Sequence, residues 1–147
     1  MLNLTPGGIL VGIGCDLIET ERIRKVLEKH GDRFLRRVFT DEERAYCSSL
    51  AFPHKHYAAR WAAKEAVSKC FTTGIGPHLD WTSISVYHGE RREPLVRLDQ
   101  KATGLLADVG ATHVWLSLSH IDTHAMAVAA LIKNVGPDLT SAPMPRT

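Results

Sequence analysis

The sequence predicts an α+β fold in which an antiparallel sheet is packed with a long helix. Three observations carry this prediction. An alanine-rich helical pattern covers about His54–Phe71, and alanine both favours helix and allows close packing on a sheet. Apolar and polar residues alternate in Trp81–Tyr87, which is the period of a half-buried strand. Two more strand patterns, His113–Ser119 and Ala125–Ile132, are joined by a short polar turn, which indicates an antiparallel pair.

The chain begins with a strand followed by a helix. The apolar run Ile9–Ile13 predicts a short buried strand. Thr20 is expected to cap a helix over about Glu21–Lys29, which Gly31 would end, because a side-chain oxygen can accept from the first free amides and glycine favours a helix end.

Three further elements complete the order. Thr40 and Glu43 have the spacing of a capping box, which predicts a helix ending near Leu50. Pro94–Leu98 predicts a second strand after Trp81–Tyr87, and Lys101–Val109 predicts a helix. We expect one domain over residues 1–133 and a flexible tail over residues 134–147, where three of the seven prolines lie.

Composition excludes several classes of protein. The 18 basic residues exceed the 16 acidic residues by only two, so bulk charge does not indicate a nucleic-acid binder. Cys15, Cys47 and Cys70 are widely spaced, which fits neither a disulfide framework nor a thiolate zinc site. Residues 1–8 lack the pattern of a secretory leader, and no apolar run approaches the ~20 residues of a membrane span. We therefore expect a cytoplasmic protein that binds neither nucleic acid nor a membrane.

One face of the long helix carries a line of functional side chains. Trp61, Glu65 and Lys69 are four residues apart and therefore lie along one face, flanked by Arg60 and Lys64. A surface ion pair between Glu65 and Lys69 is the structural interpretation, and it would stabilise a helix by about 0.2–0.5 kcal/mol. The surrounding alanines indicate instead that this helix is buried, where a carboxylate needs a cation or a metal as its partner.

Asp16 is a second acidic residue in apolar surroundings. It follows the first predicted strand, where an unpaired carboxylate would also be costly. Taken singly, it fits a turn or a helix cap equally well. If Asp16 and Glu65 converge, their oxygens would form the kind of site that binds Mg²⁺, with water and substrate phosphates as the other ligands.

Basic residues are concentrated between Arg22 and Arg37. Seven basic and two acidic residues give this stretch a local charge of +5. Such a run is usually a solvated helix face, and its functional alternative is a docking surface for an acidic partner. Ser119-His120 and the loop Gly74-Ile75-Gly76 match neither a catalytic elbow nor a phosphate-binding loop by themselves.

Three blocks of sequence resemble the holo-[acyl-carrier-protein] synthase family, the short 4'-phosphopantetheinyl transferases. The blocks are Gly12-Ile-Gly-Cys-Asp16-Leu-Ile-Glu19, then Arg60-Trp-Ala-Ala-Lys-Glu65-Ala-Val-Ser-Lys69 followed by Phe71-Thr-Thr-Gly-Ile-Gly76, and finally Leu116-Ser-Leu-Ser-His120. Their order and spacing agree with that family, and the resemblance covers roughly residues 9–133. It implies a 4'-phosphopantetheinyl transferase-like single domain.

The resemblance implies a reaction. Members transfer the 4'-phosphopantetheine group of coenzyme A to a serine of apo-acyl carrier protein, release adenosine 3',5'-bisphosphate and use Mg²⁺. The metal-binding carboxylates of the family correspond to Asp16 and Glu65. Glu65 is the implied acceptor of the serine proton, and Lys69 is the implied cation that stabilises phosphate charge.

The resemblance also implies binding residues and an assembly. The positions that contact coenzyme A correspond to Ser68, Lys69, Pro94, Ser119 and His120. Arg22 corresponds to an arginine that docks the carrier protein, and Arg33 and Arg36 belong to the same basic stretch. Members are typically homotrimers with active sites at subunit interfaces. Two positions depart from the family pattern, since Thr72 replaces a glycine and Cys15 replaces an apolar residue or threonine.

Two other functions stay open at the level of sequence. A non-enzymatic module of the same fold would bind an acidic partner through residues 22–37, although a pure binder has no need for Asp16, Glu65 and Lys69. The other alternative is a metal-dependent hydrolase that cleaves the phosphoanhydride of coenzyme A.

Overall fold

The structure is a computed structural model that describes residues 8–135. The elements are β1 (Ile9–Glu19), α1 (Thr20–Val38), α2 (Asp41–Ser48), α3 (Pro53–Cys70), β2 (Ile84–His88), β3 (Pro94–Leu98), α4 (Gln100–Asp108), β4 (His113–His120) and β5 (His124–Lys133). This mixed order confirms the predicted α+β class. The predicted tail lies outside the described residues from residue 136 onwards.

The strands form two antiparallel sheets. The larger sheet has the order β1-β5-β4, and the smaller sheet pairs β2 with β3. In the larger sheet Asp16 pairs with Ala127, which pairs with Leu118, so these three residues share one face of the sheet. The antiparallel pairing confirms the prediction, and it places Asp16 on the face that α3 covers.

Helix α3 lies against the larger sheet and forms the centre of the core. Small residues on both sides allow this close packing, because five alanines of the helix and three of β5 are buried: Ala58, Ala59, Ala62, Ala63, Ala66, Ala125, Ala127 and Ala129. A Cβ placed on Gly12 or Gly14 of β1 would overlap the backbone of Cys70 or Ala66. The absence of a side chain at these two glycines therefore lets the helix backbone touch the strand.

A buried ion pair joins α2 to α3. The Lys64 ammonium lies 2.8 Å from the Glu43 carboxylate, and both side chains are inaccessible to solvent. Lys64 also donates to the carbonyl oxygens of Trp81 and Ile84, while Glu43 accepts from the amide of Val86. Burial lowers the pKa of Lys64, and the charge of Glu43 opposes that shift. The pair ties both helices to the start of the smaller sheet.

The helix ends and the first strand agree only in part with the sequence predictions. The capping box of Thr40 and Glu43 is present. The backbone of Gly31 is non-helical, with a φ of 52°, and it divides α1 into two helical segments, so the predicted helix end at this glycine is confirmed. Thr20 does not cap the helix, because its hydroxyl donates to the carbonyl oxygen of Asp122 at 2.6 Å. The prediction of a buried first strand is wrong as well, since Ile13 is 64% exposed.

The exposed side chains of β1 belong to an apolar outer face of the larger sheet. Ile13 lies in register with Ala130 and Trp115, and Leu17 lies in register with Met126. These side chains point away from α3, because successive residues of a strand face opposite sides. Several exposed apolar side chains on one sheet face indicate an interaction surface.

Each helix that the structure describes within residues 8–135 is too short or too polar to span a bilayer. The expected cytoplasmic location stays a prediction.

We expect Gly14→Ala to destabilise the fold, because the added Cβ overlaps helix backbone that cannot swing aside as a flexible side chain can. Overpacking of this kind costs about 1–3 kcal/mol in the free energy of unfolding, which urea denaturation measures. Gly104→Ala in α4 is the matched control. Nothing lies within 4 Å of a Cβ at that position, and alanine in place of a helical glycine should add about 0.5–1 kcal/mol of stability. Equal stability of the two variants would contradict the close contact.

Candidate active site

The predicted line of side chains on α3 meets Asp16 at the edge of the larger sheet. Lys69 Nζ lies 3.0 Å from the Asp16 carboxylate and 2.9 Å from the carbonyl oxygen of Cys15. The Asp16 side chain is 16% exposed and that of Lys69 is 50% exposed. The hydrogen bond to Asp16 raises the pKa of Lys69, so this lysine is a cation at neutral pH. Asp16 therefore has the cationic partner that its apolar surroundings require.

Glu65 is half-buried one turn before Lys69. Burial raises its pKa, and the charge of Asp16 raises it further, while the charges of Lys69 and Arg22 lower it. The two carboxylates therefore act on each other and belong to one site. Lys69 forms its ion pair with Asp16 on β1. The alternative interpretation, in which Lys69 pairs with Glu65 on the helix surface, is therefore wrong.

The two carboxylates fit a hard cation that takes its other ligands from solvent and substrate. Among residues 8–135, no group of three or more His, Cys, Asp or Glu side chains is placed to hold a metal ion. A closed structural metal site is therefore not formed by these residues. Mg²⁺ commonly binds through one or two carboxylates together with water and substrate phosphates. Asp16 and Glu65 suit that mode, because a cation between them would relieve their mutual repulsion.

Helix α1 brings positive charge to Glu65 at two places. The charge of Arg22 acts on the Glu65 carboxylate, and Arg37 lines a cavity of about 790 Å³ together with Glu65. Arg22, Arg33 and Arg36 are all exposed on this helix. Arg36 is 3.8 Å from Asp32 in an exposed pair, which leaves its charge largely available. The predicted docking surface thus borders the acidic residues of the site.

The other predicted binding residues lie in a second group. The ring of His120 at the end of β4 is 6.4 Å from the ring of His56 in the first turns of α3. Pro94 begins β3 opposite His88. His56 and Lys69 are roughly 20 Å apart along the helix axis at 1.5 Å per residue. One chain therefore holds its predicted site residues in two groups, at opposite ends of α3.

Ser68 and Ser119 have environments that the sequence did not indicate. Ser68 is fully buried, and its hydroxyl donates to the carbonyl oxygen of Glu65 at 2.8 Å. In this conformation it supports the helix backbone beneath the site. Ser119 is exposed and lies on the outer sheet face in register with Met126. These positions leave the proposed contacts of both serines with coenzyme A as predictions.

Thr72 has a φ of 61° just after α3, in the left-handed region that favours glycine. A β-branched residue is strained there. This backbone conformation gives a physical reason for the glycine that the resembling family has at the corresponding position.

Sequence reasoning missed the burial of two basic residues on α3. Arg60 and Lys64 were expected only to flank the functional line, yet both are buried. Lys64 has Glu43 as its partner, whereas the guanidinium of Arg60 stacks on Tyr46 with its Cζ 4.5 Å from the ring centroid. The available signal was the alanine content, because a helix with alanines on nearly every side leaves no solvated face for these cations.

The chain is similar to one family of known proteins over most of its length. The family model of the 4'-phosphopantetheinyl transferase superfamily matches residues 12–129. The holo-[acyl-carrier-protein] synthase of Chlamydia trachomatis is 45% identical over 120 residues, which cover 82% of this chain and 98% of that protein. Among solved structures, the Neisseria meningitidis holo-[acyl-carrier-protein] synthase has a TM-score of 0.80 at 29% identity, with 85% of this chain and 100% of that chain covered. The Bacillus anthracis protein of the same name, in complex with CoA (3',5'-ADP), has a TM-score of 0.71 at 34% identity, with 85% and 98% covered.

In metal-free protein, Asp16→Asn should lower the pKa of Glu65, because it removes the negative charge that raises it. A carboxyl ¹³C NMR titration of Glu65 measures the shift. Asp108→Asn, which changes an exposed acid at the end of α4, is the control and should leave the Glu65 titration unchanged. An unaltered Glu65 pKa in Asp16→Asn would mean that the two carboxylates do not share a site.

Proposed function

The chain belongs to the 4'-phosphopantetheinyl transferase superfamily, and we propose that it is a holo-[acyl-carrier-protein] synthase. It transfers the 4'-phosphopantetheine group of coenzyme A to a serine hydroxyl of an apo-acyl carrier protein and releases adenosine 3',5'-bisphosphate. The proposal rests on one observation: Asp16 of β1 contacts Lys69 of α3, with Glu65 of α3 beside them, although the strand and the helix are far apart in the chain. The relative solved with CoA (3',5'-ADP) supports the choice of substrate.

Glu65 is the proton acceptor in this proposal. Carboxylates are among the common general bases, and Glu65 is the carboxylate that lies both beside Asp16 and in a cavity lining. The cavity of about 790 Å³ beside Glu65 gives the serine hydroxyl a route to that carboxylate. The serine oxygen forms a bond to the pantetheine-side phosphorus, the bond from that phosphorus to the bridging oxygen breaks, and Glu65 takes the serine proton.

Asp16 and Glu65 would hold Mg²⁺, which when bound neutralises charge on the diphosphate of coenzyme A. Lys69 lies between this pair and solvent, and its ammonium would donate to an oxygen of the departing phosphate. A cation fixed beside developing negative charge stabilises it without reorganisation during the reaction. The close packing of α3 on β1 keeps Lys69 in that position.

The carrier protein would dock on α1 through Arg22, Arg33 and Arg36. Like-signed charges along one exposed helix create a field that attracts an acidic partner. Arg22 lies near enough for its charge to act on Glu65, so a carrier bound there would present its serine close to the base. A module that only bound an acidic partner would gain nothing from the two carboxylates.

Purified protein with Mg²⁺ and coenzyme A should add the mass of phosphopantetheine to an apo-acyl carrier protein, as measured by intact mass spectrometry. Glu65→Gln should slow this modification by about 10²–10⁴-fold, the usual contribution of a general base. Asp108→Asn is the surface control and should react normally. If no bacterial apo carrier protein gains mass, the proposal is rejected. Carrier binding without any gain in mass would favour the non-enzymatic module.

We further propose a homotrimer with active sites at subunit interfaces. The apolar outer face of the larger sheet supports an assembly, because Leu17, Trp115 and Met126 stay substantially exposed in one chain. Lys69 and His120 lie at opposite ends of α3 in one chain, which supports active sites shared between subunits. One subunit would supply the group around Lys69 and its neighbour the group around His120, without any change in either fold. Ser119 on the outer face would then lie at the interface.

Subunits carrying Glu65→Gln should complement subunits carrying His120→Ala. Each variant alone would have low activity, but random mixing in a cyclic trimer leaves about a quarter of the interfaces with both groups intact. The measurement is the transfer rate of co-expressed, purified mixtures. A rate no higher than the average of the two variants would mean that each site lies within one chain.

A further inference from the structure

Thr20 joins the start of α1 to the turn between β4 and β5. Its backbone amide donates to the carbonyl oxygen of Thr123 at 2.9 Å, and its hydroxyl donates to the carbonyl oxygen of Asp122 at 2.6 Å. The residue is 3% exposed. A single buried residue therefore connects two elements that are distant in the chain through two hydrogen bonds.

The first turn of α1 depends on this contact, because it has no cap of its own. The N-cap residue, Glu19, makes no side-chain hydrogen bond to the helix, although the first amides of a helix need partners outside it. The buried residues of α1 are Thr20, Ile23 and Val38, and the non-helical backbone of Gly31 separates Val38 from the other two. The buried anchors of the segment before Gly31 are therefore Ile23 and Thr20.

The turn that receives these bonds is itself fixed. The amide of Ile121 donates to the carbonyl oxygen of His124 at 2.9 Å, which closes the turn. Lys55 Nζ, in the first turn of α3, lies 2.7 Å from the Asp122 carboxylate. Helix α3 is held in turn by its close backbone contact with β1. Thr20 thus attaches the start of α1 to the same frame that positions the active site.

Arg22 lies in this first turn of α1, and its charge is available to a partner. It is exposed, and it forms no ion pair with another residue between positions 8 and 135. Arg24, by contrast, is paired with two glutamates of the same helix. The charge of Arg22 also acts on Glu65. The placement of this one guanidinium therefore affects how an acidic partner is attracted to the site.

We propose that Thr20 is a positioning residue for the carrier protein, and that its two bonds to the turn hold Arg22 where the carrier docks. The inference rests on the proposed function, in which α1 binds the carrier. The hydroxyl of Thr20 is used within the chain, so it acts on the carrier through Arg22 and not by contact. Because the attraction between two charges depends on their separation, a loosened first turn weakens carrier binding and leaves the chemistry at Glu65 unchanged.

Thr20→Val keeps the size of the side chain and removes the hydroxyl. It should raise the KM for an apo-acyl carrier protein by about 3–10-fold, the usual contribution of one hydrogen bond, and leave kcat and the KM for coenzyme A unchanged. Thr20→Ser keeps the hydroxyl and should restore the KM for the carrier. A lower kcat with an unchanged KM for the carrier would overturn the inference.

Thr112→Val is the matched control. It removes a hydroxyl bond to the carbonyl oxygen of Ile132, at the other end of β4 from the turn, and it should leave the kcat and both KM values unchanged. An equal rise in the KM for the carrier in this variant would overturn the inference, because the effect would then not depend on α1.

A double-mutant cycle tests the route through Arg22. If Thr20 acts by holding this arginine, Thr20→Val should add less than about twofold to the loss of carrier binding already caused by Arg22→Ala, because the two residues then contribute as one unit. Losses that multiply in the double variant would overturn the inference.

The cycle is measured by the fluorescence anisotropy of a labelled bacterial apo-acyl carrier protein, so it needs no transfer reaction. Coupled losses of binding without any gain in carrier mass would reject the proposed function alone. Transfer with independent losses, or with carrier binding unaltered in Thr20→Val, would reject the role of Thr20 alone.

Discussion

The close contact between α3 and the larger sheet is the constraint on which the rest of the structure depends. Gly12 and Gly14 bring β1 against the helix backbone, and the buried alanines of α3 complete the contact. A helix held this closely cannot slide or rotate without overlap, so the position of Lys69 relative to Asp16 is determined. The Lys69 side of the ion pair is half exposed, where solvent weakens the attraction, so packing contributes more to the geometry of the site than this pair does.

The same burial gives the cations of α3 different chemistry. Lys64 is neutralised inside the protein by Glu43, where it holds two helices and a strand together. Lys69 lies at the sheet edge and shares its charge between Asp16 and solvent. Arg60 has no acidic partner among residues 8–135, and its charge acts on the histidines around it. The three positive charges on this one helix therefore differ sharply in how available they are to a ligand.

The surface of the chain divides into regions of different character. Helix α1 presents arginines beside the acidic pair, so a total charge of +2 combines two opposed local fields. The outer face of the larger sheet exposes large apolar side chains, which favours contact with a partner surface over contact with solvent. In the proposed assembly the arginines of α1 attract the acidic carrier protein and the outer sheet face contacts another subunit, so the two surfaces do not compete for one partner.

Local patterns by themselves predicted the long helix, the capping box and the antiparallel strands, because hydrophobic period and end-capping act within a few residues. They also predicted Asp16 and Glu65 as candidate metal ligands, because an acid in apolar sequence is costly in any fold, whereas the role of Lys69 was implied by the family resemblance. The tertiary structure alone decided that Ile13 is exposed, that Thr20 bonds a residue 102 positions away, and that Lys64 has Glu43 while Arg60 has no counterpart. The physical reason is that the covering of a strand face and the partner of a buried charge depend on elements distant in the chain.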